Sequence, residues 1–394
     1  MRNPAEAKSA APATVKSSPE HFISGSELRL EDIVTEENFV YAYKAASKGK
    51  KGRFGCFRYG EELGLNIQSQ KNALLNGTYR PSECHSFDIW CAGGQKMRRI
   101  TAPTFSDGVI QHVFYAATYD VFSRRFIHDS YGCRKFKGAH KAADRIQEFI
   151  RKSPEDSYYL QIDIRKYYYS IDHAILRESI ERTIKDKRIV DYMMAFAGDA
   201  GIGLQVGCLL SQLYGMIYLD RFDHYCKRVL KVRHYVRYVD DIVMIGLTRE
   251  EAYALKKRGE DFLREHLHLK LSKWKIAPVS RGINFCGFRS WRNRRLLRKR
   301  SMRTFQRSLR RRKFESALSV LAHARHSTTY RSMLVQLRQS VQKRDYGHLC
   351  SRLMRELNLP LQAFKNARWK LRNPLGVRTR RAVTMDDARR VRLA

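Results

Sequence analysis

The stretch Tyr235–Gly246, YVRYVDDIVMIG, sets Asp240 and Asp241 between two apolar runs of β-like composition. Two residues between such runs is hairpin spacing, and Asp tolerates turn conformations that β-branched residues do not, so the pair is expected at a hairpin tip. Adjacent carboxylates repel, and burial raises their pKa values unless cations compensate. Either a network of Lys and Arg or a divalent metal would supply that charge. Hard oxygen ligands suit Mg²⁺, which is held by one or two carboxylates together with substrate phosphates. A third carboxylate comes from YYLQIDIR, Tyr158–Arg165: Leu160, Ile162 and Ile164 fall on one face of a strand, and Gln161, Asp163 and Arg165 on the other. Three carboxylates on neighbouring strands can hold two cations about 4 Å apart, the arrangement that stabilises attacking and leaving oxygens in phosphoryl transfer.

The rest of the chain suits that chemistry. Its 394 residues exceed one ordinary domain, so two or three sub-domains are expected. Lys and Arg outnumber Asp and Glu 76 to 39, for a formal net charge of +37 spread over the whole length. Such a chain repels itself unless a polyanion compensates, which makes nucleic acid the expected partner. Eight cysteines without a CxxC pair fit reduced thiols in a cytosolic compartment, and Cys84, His85 and Cys91 offer three zinc ligands with no fourth nearby. No run reaches the roughly 18 apolar residues of a spanning helix, and no signal-peptide core stands at the start, so a soluble, cytoplasmic protein without a membrane partner is expected.

Residues 1–25 are rich in Ala, Pro, Ser and Lys without apolar periodicity and read as a disordered extension. Residues 26–157 alternate helical patterns such as VIQHVFYAATYDVF with Gly-containing basic turns, CAGGQKMRRI and SYGCRKFKGAH. Residues 158–290 change to short strands around helices. From Trp291 to Lys313 there are twelve Lys or Arg and no acid, with Met302, Phe305 and Leu309 at helical spacing; Tyr330, Met333, Leu334, Leu337 and Val341 repeat it. Residues 291–375 thus read as a helical module whose basic face would grip a duplex, followed by a basic tail, 376–394.

In this order the motifs resemble a reverse transcriptase. KMRRI and SYGCR, the Asp163 stretch DIRKYYYSI, the Gly-led helix VGCLLSQLYGMIYLD, YVDD, LKLSKWK and GINFCGF give seven ordered matches between about Leu63 and Arg289. The resemblance implies an α+β right-hand polymerase with fingers (26–157), a palm of antiparallel sheet and helices (158–290) and a thumb (291–375). It implies two Mg²⁺ ions, with Mn²⁺ as substitute, on Asp163, Asp240, Asp241 and the Ile164 carbonyl, and Asp163, Asp240 and Asp241 as catalytic residues. Lys96, Arg98, Arg99, Tyr168, Gly207, Ser211, Gln212 and Lys275 would bind the nucleotide, Tyr168 as the ring that excludes a 2′-hydroxyl. Arg134, Tyr238, Gly287, Arg298, Lys299 and Arg303 would meet template and primer.

One departure narrows the resemblance. Most of the family has Q-G-x-x-x-S-P where this chain has Val206, Gly207, Cys208, Leu209, Leu210, Ser211 and Gln212. That form, together with APVSRGINFCGF and LLRKRS, is similar to reverse transcriptases of diversity-generating retroelements, bacterial or phage-encoded. The likeness implies that a template-repeat RNA is copied into cDNA with errors at adenine, through an RNA/cDNA duplex, from dNTPs. It also implies an oligomeric, small basic accessory protein (accessory variability determinant). Retron, group II intron and defence-associated enzymes are the rivals; the NAxxH and VTG stretches of retrons are absent, and no room is left for a sizeable endonuclease or RNase H domain. A basic RNA-binding scaffold that kept the fold but not the reaction is the non-enzymatic alternative, disfavoured by three intact carboxylates.

Overall fold

A computed structural model describes residues 24–91, 96–342, 345, 349 and 351–359. The expected tail 376–394 and nearly all of the N-terminal extension 1–25 lie outside the described residues, as do residues 360–375 of the expected thumb. The chain divides into two compact units, Met1–Gly282 and Ile283–Ala394.

The first unit opens with four helices, α1 (Leu30–Ile33), α2 (Glu36–Ala46), α3 (Phe54–Glu61) and α4 (Leu63–Leu75), and a two-stranded antiparallel ladder of β1 (His85–Cys91) and β2 (Lys96–Ala102). KMRRI, read as part of a basic turn, is thus a strand. The run VIQHVFYAATYDVF lies in α5 (Phe105–Ser123), followed by α6 (Ala139–Lys152). Then come β3 (Tyr158–Ile164), α7 (His173–Glu181), α8 (Lys187–Ala195), α9 (Leu209–His224), β4 (His234–Tyr238), β5 (Asp241–Leu247), α10 (Arg249–Leu267) and β6 (Leu271–Pro278).

The last four strands form one antiparallel sheet in the order β4-β5-β3-β6, so β3 is central. Its alternation works as the sequence implies: Leu160, Ile162 and Ile164 enter the main core with Tyr235, Ile242 and Met244 of the neighbouring strands. Each such side chain, fully buried, contributes about 1.5–3 kcal/mol of transfer free energy. The opposite face is covered over β4 and β5 by α6, whose buried Ala142, Ala143, Ile146, Phe149 and Ile150 keep helical spacing, and Phe149 stacks on His234 at 4.6 Å. Behind the sheet α9 is buried on nearly every side, from Leu210 to Leu219, and packs on α5 and α7. The sheet is therefore fixed from both faces over β4 and β5, while residues 272–275 of β6 stay exposed beside β3.

The second unit begins with a three-stranded antiparallel sheet, β7 (Ile283–Phe285), β8 (Phe288–Ser290) and β9 (Arg295–Leu297). Residues 283–290, expected in the palm, pair here with a strand from the stretch read as helical. The helices are α11 (Lys299–Arg310), α12 (Phe314–Ala324), α13 (Tyr330–Ser340) and α14 (Ser351–Glu356). Phe305 and Leu309 of α11 and Met333 and Leu337 of α13 are buried, as their spacing predicts, while Lys299, Arg300, Arg303, Arg307 and Arg310 are exposed on α11. A right-hand polymerase's mixture of helices and antiparallel sheet is what the two units contain.

Candidate active site

The carboxylates meet at one end of the four-stranded sheet. Asp163, near the end of β3, stands directly opposite Asp241 of β5, and Ile162 opposite Ile242. Directly opposed residues of an antiparallel pair share a face, with Cβ atoms about 4.5–5.5 Å apart, so Asp163 and Asp241 are side by side. The hairpin differs from its expected form. Asp241 is already strand and pairs with Tyr238; the two turn residues are Val239 and Asp240, and Val239, not an Asp, takes the left-handed conformation with φ of 59°. A β-branched residue there is a real outlier, and such strain persists only where neighbours over-determine it.

All three aspartates are half-buried. Asp163 accepts a hydrogen bond from Ser272 Oγ, and Asp241 Oδ1 accepts one from Gln161 Nε2 at 2.8 Å. Ser272 owes its position to a bulge: Asp163 pairs with Lys273 and Ile164 with Leu271, which leaves Ser272 as the extra residue, turned toward the carboxylate. Among the described residues no three His, Cys, Asp or Glu side chains converge on one point. Two carboxylates of this set are instead held by neutral donors, a hydroxyl and an amide. The donor set, hard oxygens on opposed registers, fits a divalent cation such as Mg²⁺.

Three devices hold the strained turn, and the sequence pattern revealed none of them. Arg237 of β4 is 1% exposed and forks onto Asp223 of α9, with Nε at 2.8 and 2.9 Å from the two carboxylate oxygens and Nη2 at 2.6 Å. Its Nη1 donates to the Val239 carbonyl at 3.1 Å, and Tyr235 Oη donates to Asp223 at 2.5 Å. Burial works against the guanidinium's charge, but Asp223 outweighs it and raises the pKa of Arg237. Outside the hairpin, Asp129–Gly132 docks along β4: Tyr131 N donates to the Arg237 carbonyl and Arg237 N to the Asp129 carbonyl, both at 2.9 Å. Finally, a Cβ on Gly132 would lie 2.5 Å from Val239 Cγ2 and 2.6 Å from its backbone N, so only glycine permits this approach.

The motif SYGCR therefore acts on the hairpin. Arg134, expected at the template, is turned inward: its guanidinium donates to the carbonyls of Ile127 at 2.8 Å, Ser130 at 3.2 Å and Ser123 at 2.9 Å. Burial lowers its pKa, and its donors fix the loop.

Tyr167, Tyr168 and Tyr169 have three different environments. The chain leaves β3 through Lys166, at φ of 45°, into a short 3₁₀ turn. Tyr167 is buried and donates to the Gly215 carbonyl, Tyr169 is 51% exposed, and Tyr168 lies between them with its ring against Gly215, where a Cβ would be 3.1 Å away. Burial, with smaller contributions from Cys133 and Asp240, pushes the Tyr168 phenol above its ordinary pKa, which places the ring within electrostatic reach of Asp240.

The head of α9 is tied to β2. Thr101 N donates to the Val206 carbonyl at 2.7 Å, and a Cβ on Gly207 (φ 133°) would meet the Thr101 carbonyl at 2.7 Å and Ile100 Cγ2 at 3.0 Å. Ser211 is buried and donates to the Gln205 carbonyl at 2.8 Å, while Gln212 is exposed. Gln111 of α5 caps the helix, its Oε1 accepting from Leu209 N at 2.8 Å and Leu210 N at 3.4 Å. Because strand residues alternate, Arg98 lies on the face of Ile100 and Arg99 on the other, in register with Asp88. The side chain of Lys96, like that of Cys91, lies outside the described residues. Lys275 is exposed, in register with Gln161, and its Nζ sits 5.6 Å from the Tyr159 ring centre; Lys273, not singled out from the sequence, is the cation in register with Asp163.

Gly287, Arg298, Lys299 and Arg303 belong to the second unit. Gly287 (φ 87°) turns the β7–β8 hairpin with Cys286 (φ 47°); a Cβ there would meet His323 Nε2 at 2.6 Å, and Arg298 N donates to its carbonyl at 3.1 Å. What approaches this glycine is thus a side chain of α12. Arg298, Lys299 and Arg303 are exposed at the start of α11.

Residues 92–290, half of the chain, match the family model of the reverse transcriptase (RNA-dependent DNA polymerase). Protein YkfC of Escherichia coli is 25% identical over 285 residues, 61% of this chain and 73% of that protein. The group II intron-encoded protein LtrA of Lactococcus lactis is 27% identical over 175 residues, 42% of this chain; the match spans only 28% of LtrA. Among solved structures, apo telomerase from Candida tropicalis, truncated from its C-terminal domain, is similar at a TM-score of 0.41 and 13% identity, over 59% of this chain and 60% of that one.

Proposed function

The chain belongs to the reverse transcriptase family, and we propose that it is an RNA-directed DNA polymerase of the diversity-generating retroelement kind. The observation that carries the polymerase reading is the register that sets Asp163 beside Asp241, with Asp240 in the adjoining turn. Asp163, Asp240, Asp241 and the Ile164 carbonyl would hold Mg²⁺ or Mn²⁺, which when bound supplies Lewis-acid stabilisation of the attacking and leaving oxygens. Ser272 and Gln161 hold two of the carboxylates through uncharged donors, whose place a divalent cation can take. Tyr168, backed by Gly215, bounds the space for the sugar, and Arg98, on the Ile100 face of β2, is the fingers cation aligned with the head of α9.

The retroelement reading rests on Val206 and Gln212. Gln212 is the fourth residue of α9 and the first whose N–H can reach back to the Cys208 carbonyl; a proline there would lack that donor. A regular helix start, with Val206 in place of a hydrogen-bonding amide, gives the nascent base pair a looser wall. By this reading the partners are a template-repeat RNA, dNTPs and a small accessory protein.

The test is extension of a primer on an RNA template with Mg²⁺, with and without Asp240→Ala. We expect extension by the wild type and a loss of at least about 1,000-fold in the variant, the scale on which a catalytic electrostatic group acts. A wild-type protein inert even with its RNA and accessory partner would defeat the enzyme reading in favour of a scaffold. Val206→Gln and Gln212→Pro should lower misincorporation at template adenines; an unchanged error spectrum with activity intact would remove the basis for the retroelement assignment.

A further inference from the structure

A cleft of about 670 Å³ in the first unit shares no residue with the candidate active site. That volume is in the range of small-ligand sites, roughly 300–1,000 Å³. Its rim is cationic: Arg125 after α5, Arg182 after α7, Arg221 of α9 and Arg228 beyond it. Arg182 and Arg221 share Glu178, at 2.6 and 3.1 Å. Among the described residues Arg125 and Arg228 are exposed and form no close ion pair, and Arg125 lies within electrostatic reach of Asp220. Both can therefore meet an anion from solvent.

The interior of the cleft is of a different kind. Tyr225 and Phe262, both half-buried, stack with ring centres 4.2 Å apart and planes at 16°. Tyr225 and Arg228 are carried on Tyr225–Val229, a π-helical turn that continues α9. Such turns are rare and concentrate at functional sites. Beside them Asp220 lines the cleft, and its Oδ1 is shut from solvent without a hydrogen-bond donor, 3.5 Å from His224 Nε2. Burial, with Asp223 adding, raises the Asp220 carboxyl to about 7, so near neutral pH it can donate a proton as well as accept one.

We propose that this cleft is a nucleotide pocket: it takes one unpaired RNA base against the Tyr225–Phe262 stack, with the flanking phosphates on Arg125 and Arg228 and the base edge on Asp220. The proposal rests on the reading that this protein copies RNA, and it adds a second place where the template strand is held. Base–aromatic stacking contributes about 1–3 kcal/mol per base and tolerates any sequence, and unpaired bases are what RNA-binding modules splay onto aromatic rings. An acidic peptide would satisfy the arginines but has no use for a stacked aromatic wall.

The experiment uses the full chain and a short fluorescent single-stranded RNA, titrated at several salt concentrations, with wild type and the double variant Arg125→Gln/Arg228→Gln. Both positions are exposed, and thermal melting verifies folding. The variant should bind about tenfold more weakly, with a slope of log K against log salt shallower by about 1.4, two phosphate contacts at about 0.7 each. Its extension of a minimal primer–template should equal that of the wild type. Photo-crosslinks from 4-thiouridine RNA should map to Tyr225 or Phe262, and Asp220→Asn should alter base preference without changing the salt slope. Unchanged affinity and slope in the double variant, or crosslinks confined to other residues, would overturn the proposal. Poly-glutamate that shields Arg125 and Arg228 from chemical modification where RNA does not would assign the cleft to an acidic protein instead. Failure of the wild type to extend any primer would strike the polymerase reading, while the binding and crosslinking arms would still decide the pocket.

Discussion

Two tight hairpins in this chain turn through positive φ, and they do so by opposite means. At Cys286–Gly287 the second residue is glycine, and one side chain, His323, closes over it. At Val239–Asp240 the left-handed residue is β-branched, and the conformation is imposed by Arg237 from below, by Asp129–Gly132 from the side and by Gly132 in contact with the turn itself. In the first turn Cys286 is left-handed too (φ 47°), but glycine takes the other position without strain and the residue beside it is not β-branched. The second is specified by residues more than a hundred positions apart in sequence, which is what a turn that must present a carboxylate in one position requires.

The comparison breaks most visibly at Arg237. Replacing it with Met leaves Asp223, fully buried, with its countercharge removed, and losing one partner of such a pair costs about 3–5 kcal/mol. Denaturant melting of Arg237→Met should show a loss of that size. Adding Asp223→Leu should recover most of it, yet primer extension should stay low, because the Val239 carbonyl still lacks its donor. Full recovery of extension in the double variant would mean that the ion pair stabilises the fold without positioning the turn.

The two glycines give the next largest effect. Gly132→Ala drives a Cβ into Val239 Cγ2 and its backbone N, and Gly287→Ala drives one into the far end of a side chain, His323 Nε2. Both should destabilise by about 1–3 kcal/mol, the scale of overpacking. They should differ in rescue. Gly287→Ala/His323→Ala should regain the part due to the clash, whereas Gly132→Ala/Val239→Gly should not recover extension, because the backbone of the turn is itself displaced. Equal rescue of both would show that the catalytic turn is no more dependent on its neighbours than the other.

The same contrast explains what could be read in advance. The β3 alternation, the placement of Asp163 away from the core and the hairpin itself follow from residues within a few positions of one another, and the structure has them. Which two residues form the turn does not: the shorter-range preference for Asp in turns gives way to the register that sets Asp241 opposite Asp163. The family resemblance implies a template contact at Arg134, and only the fold brings the carbonyls of Ser123, Ile127 and Ser130 together around it. Ser272 reaches Asp163 through a bulge that periodicity does not announce, and Arg237 is hidden between two apolar runs where a single charge reads as a strand's polar face. A charged residue inside YVRYV, with no acidic residue in the ten positions before it and the acids after it expected to serve the metal site, is the one available signal of a buried long-range pair.

Val239→Gly gives the smallest effect and bears most directly on how the turn is held. A left-handed conformation costs a non-glycine residue about 1–2 kcal/mol, which glycine does not incur. Against that gain, glycine loses about 0.5–1 kcal/mol more backbone entropy on folding, and a half-buried Val forfeits about 1 kcal/mol of burial. The three terms nearly cancel, so the melting temperature should stay within about 2 °C of wild type. Extension should still fall, about threefold, because the side chain that meets Gly132 is gone and Asp240 is held less firmly. A much larger loss of stability would mean that Val239 itself, rather than Arg237 and the docked Asp129–Gly132 segment, holds the catalytic hairpin in place. A rise in both stability and rate would mean that the left-handed turn is strain the reaction does not use.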